Sequence, residues 1–393
     1  MTIARKIETV ISKSSWIRKM FEEGARLKAE HGADKVFDFS LGNPNLKPPA
    51  AFENALRELL DSGEAADHGY MPNTGYLHVR QAVADSVSKE QDSDLSAAEI
   101  IMTCGAAGAL NVTFKTIFDP GDEVITPAPY FVEYNAYADN HGGVLKTVPT
   151  NADFTLNLEA LAAAVTEKTK AVLINSPNNP TGQIYAAESL KELGEILREK
   201  GKEFQRTIYL ISDEPYRKIV YDGAEVPSIF AAYAESIIAT SYSKDLSIPG
   251  ERLGYIAVNP AAEYKSDLLA GMALCNRTLG FVNAPAFMQR AVARVQGVTV
   301  DVSLYARKRK LLCEGLAECG YEFTTPPGAF YLFPRCPIPD DVAFVKELQD
   351  ELILTVPGSG FGGPGHFRIA FCVDDRAIIN AMPGFKKVMA KYR

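Results

Sequence analysis

From residue 99 to about residue 260, short apolar runs alternate with longer segments whose apolar positions recur at helical spacing. Seven of the runs read as strands: Glu99–Thr103, Glu123–Thr126, Val144–Val148, Lys170–Asn175, Thr207–Asp213, Ile237–Ser241 and Leu253–Val258. Strands separated by helical stretches are the pattern of crossover connections, so a largely parallel sheet is predicted. Asp119-Pro120-Gly121-Asp122, His141-Gly142-Gly143 and Tyr221-Asp222-Gly223 mark reversals, because these residues supply the backbone angles that tight turns require. Beyond residue 284 the order changes: two long helical stretches, Ala284–Gln296 and Val302–Cys319, precede short strand-like pieces at Ala329–Phe333 and Phe367–Phe371. The expected fold class is α/β. A large domain over residues 48–283 carries a mostly parallel seven-stranded sheet flanked by helices, and residues 1–47 and 284–393 form a smaller α+β domain.

Composition narrows the function classes. The 393 residues are 47% hydrophobic and 23% charged, which suits a soluble globular chain with room for two domains. Forty-one basic against 49 acidic residues leave a net charge of -8, so there is no broad positive field for nucleic acid or anionic lipid, although a local cationic pocket is compatible. A charge-free run such as Ile100–Phe114 is too short and too polar to span a bilayer. The first residues carry early charge and no continuous apolar core, so the expected location is cytoplasmic. The six cysteines show no C-x-x-C pair and no histidines at zinc-finger spacing, and neither structural zinc nor a disulfide framework is expected.

In an open parallel sheet, ligands sit beyond the carboxyl ends of the strands, so the residues that follow each strand are the first place to look for chemistry. Cys104-Gly105-Ala106-Ala107-Gly108 leads from a strand into a helix, where it either presents N–H groups to an anion or only packs closely as a small-residue turn. Asp213, in Ser212-Asp213-Glu214-Pro215-Tyr216, is a carboxylate at the edge of a central strand, or a helix cap. Lys244 ends the run Ser241-Tyr242-Ser243-Lys244, with Arg252 eight residues later. A lysine desolvated among other cations has a lowered pKa and can attack a carbonyl; a surface lysine does neither. Ser176-Pro177-Asn178-Asn179-Pro180-Thr181-Gly182 is a loop stiffened by two X-Pro units, able to hold an asparagine amide still.

Taken together, these motifs closely resemble the class I/II aminotransferases, which are fold-type I pyridoxal phosphate enzymes, and the resemblance covers essentially the whole chain. Its most specific pieces are Ser-Pro-Asn-Asn-Pro-Thr-Gly, Asp-Glu-Pro-Tyr, and Ser-x-Ser-Lys with its following arginine. Ser40-Leu41-Gly42-Asn43-Pro44, Tyr70-Met71-Pro72-Asn73-Thr74-Gly75, Pro129-Tyr130 and Arg368 support it. The resemblance implies that pyridoxal 5'-phosphate is held as a Schiff base on Lys244, which also shuttles the proton at the substrate Cα. It implies that Asp213 pairs with the ring nitrogen, that Tyr216 and Asn179 bond the ring 3-oxygen, and that Tyr130 stacks on the ring. The phosphate would meet the Gly105-Ala106-Ala107 turn through the N–H groups of Ala106 and Ala107, together with Ser241 and Arg252, a cation expected in a buried position. Tyr70 would reach the phosphate across a homodimer interface. Arg368, with Asn179 and the backbone at Gly42, would take the substrate α-carboxylate.

Two features depart from the family pattern. Gly105-Ala106-Ala107 lacks the serine or threonine that many relatives have in the phosphate turn. Asn283-Ala284-Pro285 stands where aspartate transaminases have a Ser-Asn-Pro segment, preceded there by a partner-subunit arginine that reads the distal carboxylate; Arg277 lies near that place, offset by one, as a distal-carboxylate reader or a surface arginine. The expected activity is transfer of an amino group from an L-amino acid, aspartate first, to a 2-oxo acid such as 2-oxoglutarate. Alanine or aromatic donors, and a β-eliminating C–S lyase on the same scaffold, are the alternatives. A DNA-binding regulator on this fold is disfavoured by the acidic balance and by the intact lysine and aspartate.

Overall fold

A computed structural model describes residues 2–12, 16–63 and 68–393. In chain order its strands are β1 (Phe37–Asp38), β2 (Ile100–Thr103), β3 (Glu123–Ala128), β4 (Val144–Pro149), β5 (Thr169–Asn175), β6 (Tyr209–Asp213), β7 (Ser236–Ser241), β8 (Gly254–Val258), β9 (Tyr331–Leu332), β10 (Ile353–Leu354), β11 (Val356–Pro357) and β12 (Phe367–Ala370). Strands β2 to β8 form one seven-stranded sheet in the order β2-β8-β7-β6-β5-β3-β4. All are parallel except β8, which runs antiparallel to both of its neighbours. The mostly parallel sheet expected from the sequence is present, and each of the seven predicted runs coincides with one of its strands to within about two residues.

Successive strand residues face opposite sides, so each strand feeds two cores. Ile100, Met102, Ile125, Val172, Ile174, Leu210, Ile238 and Ala257 fill one face. Ile101, Val124, Ala171, Leu173, Ile211, Ile237, Ala239 and Ile256 fill the other. Strands buried on both faces in this way read as continuous apolar runs, which is why they stood out in the sequence.

A third core gathers Phe39, Tyr305, Leu312, Phe330, Phe344, Phe367, Phe385 and their neighbours, and takes in Tyr216, Ile219 and Tyr221 from the segment after β6. Its frame is the antiparallel sheet β11-β12-β9, the pair β1-β10 and the helix Val302–Cys319. That helix has the predicted bounds: the Asp301 side chain accepts a hydrogen bond from the Ser303 N–H at its start, and Gly320 closes it in the left-handed region at φ 86°. The helix expected at Ala284–Gln296 is shorter, Ala286–Ala293: Pro285, at ψ 120°, is its non-helical N-cap and sets the later start, and the chain passes into turns from Arg294. Ala284, Ala291, Val292 and Val295 lie in the core on the first face of the large sheet. Among the described residues, no helix is long and apolar enough to cross a membrane.

Candidate active site

The carboxyl ends of β5, β6 and β7 lie side by side, with Asn175 paired in register to Asp213 and Asp213 to Ala239. Over them opens a cleft of about 300 Å³. Gly42, Ala106, Ala107, Asn179, Asp213, Tyr216, Ser241, Lys244, Arg252 and Arg368, all singled out from the sequence, line it.

Asp213 forms the floor. It is buried; Oδ2 accepts a hydrogen bond from the Tyr134 hydroxyl at 2.6 Å, while Oδ1 is buried without a partner. Burial raises its pKa to about 7 and the neighbouring Glu214 adds to the rise, against the Tyr134 hydrogen bond and Lys244, which lower it. An orphaned buried carboxylate oxygen is costly unless a cation or N–H meets it, so this atom calls for a donor within the cleft. Asn175 at the end of β5 braces the floor: its Nδ2 donates to the Asp213 carbonyl at 2.8 Å, and its Oδ1 accepts from the Asn179 N–H at 2.6 Å.

Lys244 reaches into the same space. Its Nζ donates to the Gly42 carbonyl at 2.8 Å and lies 5.9 Å from the Tyr216 ring centroid and 5.6 Å from that of Phe330. Burial lowers its pKa to about 8, and the cations Arg368 and Arg252 push in the same direction. This is the desolvated lysine that the sequence left as one of two readings.

Arg368 in β12 is only 2% exposed. Its Nη1 donates to Asn179 Oδ1 at 3.0 Å and its Nη2 to the Ser40 carbonyl, while Nε has no partner. A buried guanidinium with an unfilled donor is a seat for a carboxylate.

At the other end of the cleft, the helix Gly105–Ile117 starts directly after β2 with no side-chain cap, leaving its first N–H groups open. Gly254 permits this placement, since a Cβ there would collide with the Thr240 carbonyl and the Gly105 backbone. Ser241 and Arg252 border the same end.

Several expected positions differ. Tyr130 lies outside the cleft, its hydroxyl accepting from Asn135 Nδ2 at 2.8 Å and its ring lying against Gly362; the adjacent Phe131 lines the cleft instead. Gly105 stands behind the lining, at φ 71°, where a side chain would crowd Arg252. Arg252 is exposed rather than buried, its Nη1 donating to the Pro249 carbonyl at 2.8 Å. Arg277 is exposed on the helix Lys265–Thr278, and Tyr70 is 94% exposed, both outside the cleft of this chain. The sequence reading missed Phe131, Tyr134, Asn175 and Tyr331. Asn175 carried a usable signal as the polar end of an apolar strand; Tyr134 and Tyr331 read only as apolar positions.

Residues 34–382 match the sequence model of the family described as aminotransferase class I and II. A probable aspartate aminotransferase of Methanocaldococcus jannaschii is 31% identical over an alignment of 360 residues that covers 89% of this chain and 92% of that protein. The crystal structure of an aminotransferase from Eubacterium rectale superposes with a TM-score of 0.97 at 38% identity, covering all of both chains. The aspartate aminotransferase of Thermus thermophilus, solved with maleate, gives a TM-score of 0.87 at 27% identity over 99% of this chain and all of that one. A lysine, an aspartate and an arginine meeting in one cleft at the carboxyl edge of this sheet, on a chain that matches over nearly its whole length, make this protein a member of the class I and II aminotransferases.

Proposed function

We propose that this aminotransferase uses pyridoxal 5'-phosphate to move the amino group of an L-amino acid, aspartate before others, to a 2-oxo acid such as 2-oxoglutarate. The observation that carries the reading is the half-buried Lys244 amine, its pKa lowered to about 8, in one cleft with the orphaned Asp213 oxygen and the half-satisfied Arg368. The residues fit the cofactor group by group. The open helix N-terminus at Ala106 and Ala107, with Ser241 and Arg252, suits a phosphate. Asp213 Oδ1 suits a protonated ring nitrogen, Tyr216 and Asn179 the ring 3-oxygen, and Phe131 a ring face. Bound there, the cofactor supplies an electron sink for the bonds at the substrate Cα.

The chain's own residues do the rest. Arg368 takes the α-carboxylate through its free donor capacity and so fixes which Cα bond faces Lys244. Lys244, its amine pKa lowered by burial to about 8, removes the Cα proton and returns it. Asp213 stays ionised opposite a cation, which offsets the cost of its burial.

Aspartate as donor is supported by the names of the Methanocaldococcus and Thermus relatives. Among the described residues, Arg252 and Arg368 are the basic residues that line this chain's cleft besides Lys244, so a distal carboxylate would be read by a second subunit, for which the exposed Arg277 is available. A homodimer is supported by Tyr70: nearly full exposure of a tyrosine suits a residue that completes a neighbour's site. Residues 48–283 form the large domain of this reading and 1–47 with 284–393 the small one, although Ala284, Ala291, Val292 and Val295 pack in the core of the large sheet. Six free thiols fit a reducing compartment such as the cytoplasm.

The test is a spectral titration of the cofactor-loaded protein. Aspartate should abolish the visible absorbance band and 2-oxoglutarate should restore it. A response to alanine or aromatic amino acids alone would remove aspartate and the Arg277 assignment. Release of pyruvate from cystathionine with no response to any oxo acid would replace transfer by C–S elimination.

A further inference from the structure

Tyr331 was not singled out by the sequence, yet it touches both ends of the chemistry proposed above. It lies in β9, where its register partner is Ala370 of β12, and Arg368 lies two residues before Ala370 on the same face of that strand. The Arg368 guanidinium carbon is 4.8 Å from the Tyr331 ring centroid and 4.6 Å from that of Phe361, so two rings hold the fork. The Tyr331 hydroxyl is 2.7 Å from the Tyr216 hydroxyl. Gly42 leaves room for it, since a Cβ on Gly42 would collide with the Tyr331 hydroxyl.

We propose that Tyr331 is a positioning residue that links the two binding ends of the cleft, its hydroxyl acting through Tyr216 and its ring through Arg368. This rests on the roles proposed above for Tyr216 and Arg368. Each phenol has one proton and two lone pairs. When Tyr216 donates its proton to an acceptor in the cleft, its oxygen is free to accept from Tyr331. A phenol that accepts a hydrogen bond becomes a stronger donor, so Tyr331 strengthens the bond that Tyr216 makes. The ring acts separately: with Nε unpartnered, the orientation of the Arg368 fork depends on Asn179, Ser40 and the two flanking rings.

The two roles separate by substitution in the cofactor-loaded protein, using Tyr331→Phe, Tyr331→Leu and Tyr216→Phe. The readouts are the pH titration of the visible absorbance and the affinity for maleate, a dicarboxylate that cannot give up an amino group. Tyr331→Phe should move the midpoint of the titration upward by about half a pH unit and leave maleate affinity within about twofold, because the ring remains. Tyr331→Leu should show the same midpoint shift and bind maleate about tenfold more weakly. A Tyr331→Phe midpoint equal to the wild type, with Tyr216→Phe shifted, overturns the hydroxyl role. Equal maleate losses in the Phe and Leu variants overturn the division between ring and hydroxyl. An unmoved midpoint in Tyr216→Phe overturns the Tyr216 assignment beneath it. Should Tyr331→Leu fail to fold, the near-isosteric Phe variant still decides the hydroxyl role.

Discussion

At the floor of the cleft, Asp213, Tyr134, Asn175, Tyr216, Tyr331 and Arg368 are buried, and each is held by hydrogen bonds made within one chain. The exposed rim set comprises Arg252 at the edge of the cleft and Arg277 and Tyr70, which lie outside the cleft of this chain. The floor accepts the cost of burying charged groups; fixed donors and acceptors offset part of it, and the unpartnered Asp213 Oδ1 and Arg368 Nε leave the rest for a ligand to meet. The rim spends little on preorganisation, and its cations stand open to solvent. On the proposed reading, groups that do chemistry on the substrate come from the sheet edge and the loops that follow it, and groups that select or retain come from exposed surfaces that a second copy would complete.

The largest effect expected on this comparison is at the floor. Lys244→Ala should lose the visible band of the loaded protein and reduce kcat by at least ~10⁴-fold, because nucleophile and base disappear together. A loaded variant with normal turnover would move the chemistry elsewhere. Next is Arg368→Lys: a point charge in place of a bidentate fork should raise KM for the amino acid by about 10–100-fold, with the cofactor retained. Steady-state kinetics beside an absorbance spectrum separate the two effects, and an unchanged KM would take the carboxylate seat away from β12.

A smaller effect is on stability. In the cofactor-free protein Asp213 binds its proton more tightly folded than unfolded, since burial raises its pKa from 3.8 to about 7. Between those values the native state holds more protons than the unfolded state, so the Asp213 contribution to stability falls as pH rises through that window. Asp213→Asn should therefore be more stable than the wild type at pH 8, by a few kcal/mol to order of magnitude, with the difference vanishing near pH 4. Lys244, lowered from 10.5 to about 8 by burial, works in the opposite sense: its penalty is relieved as pH rises from about 8 to 10.5. Thermal melts of the cofactor-free variants across pH check both signs, and a difference at Asp213 that grows toward pH 4 would contradict the first.

The same contrast explains what could be read without coordinates. Strands buried on both faces announce themselves as apolar runs, and the polar residues at or just past their ends, Asp213 closing β6 and Lys244 three residues beyond β7, were conspicuous for that reason. Arg368 became interpretable through resemblance rather than spacing, since its place opposite Asn179 depends on contacts 189 residues apart in the chain. Tyr134 and Tyr331 escaped notice because a buried tyrosine looks in sequence like any other core aromatic; only its hydroxyl partner reveals a role. Tyr130 was chosen over Phe131 because a helix-entry segment rotates neighbouring side chains to different faces, which a motif alone does not resolve. The exposure of Arg252 was misjudged for a related reason: its backbone, at φ 51°, closes a short turn at the surface.

That the floor is complete in one chain while the rim needs two is tested most directly by mixing two inactive proteins. Lys244→Ala lacks the floor amine and Tyr70→Ala lacks the rim phenol, and each alone should turn over poorly. If sites are shared across a homodimer, random reassortment of equal amounts should restore about a quarter of wild-type activity, because half of the dimers then carry one intact site of two. A mixture no more active than the sum of its parts would contradict the account and place the whole site within a single chain.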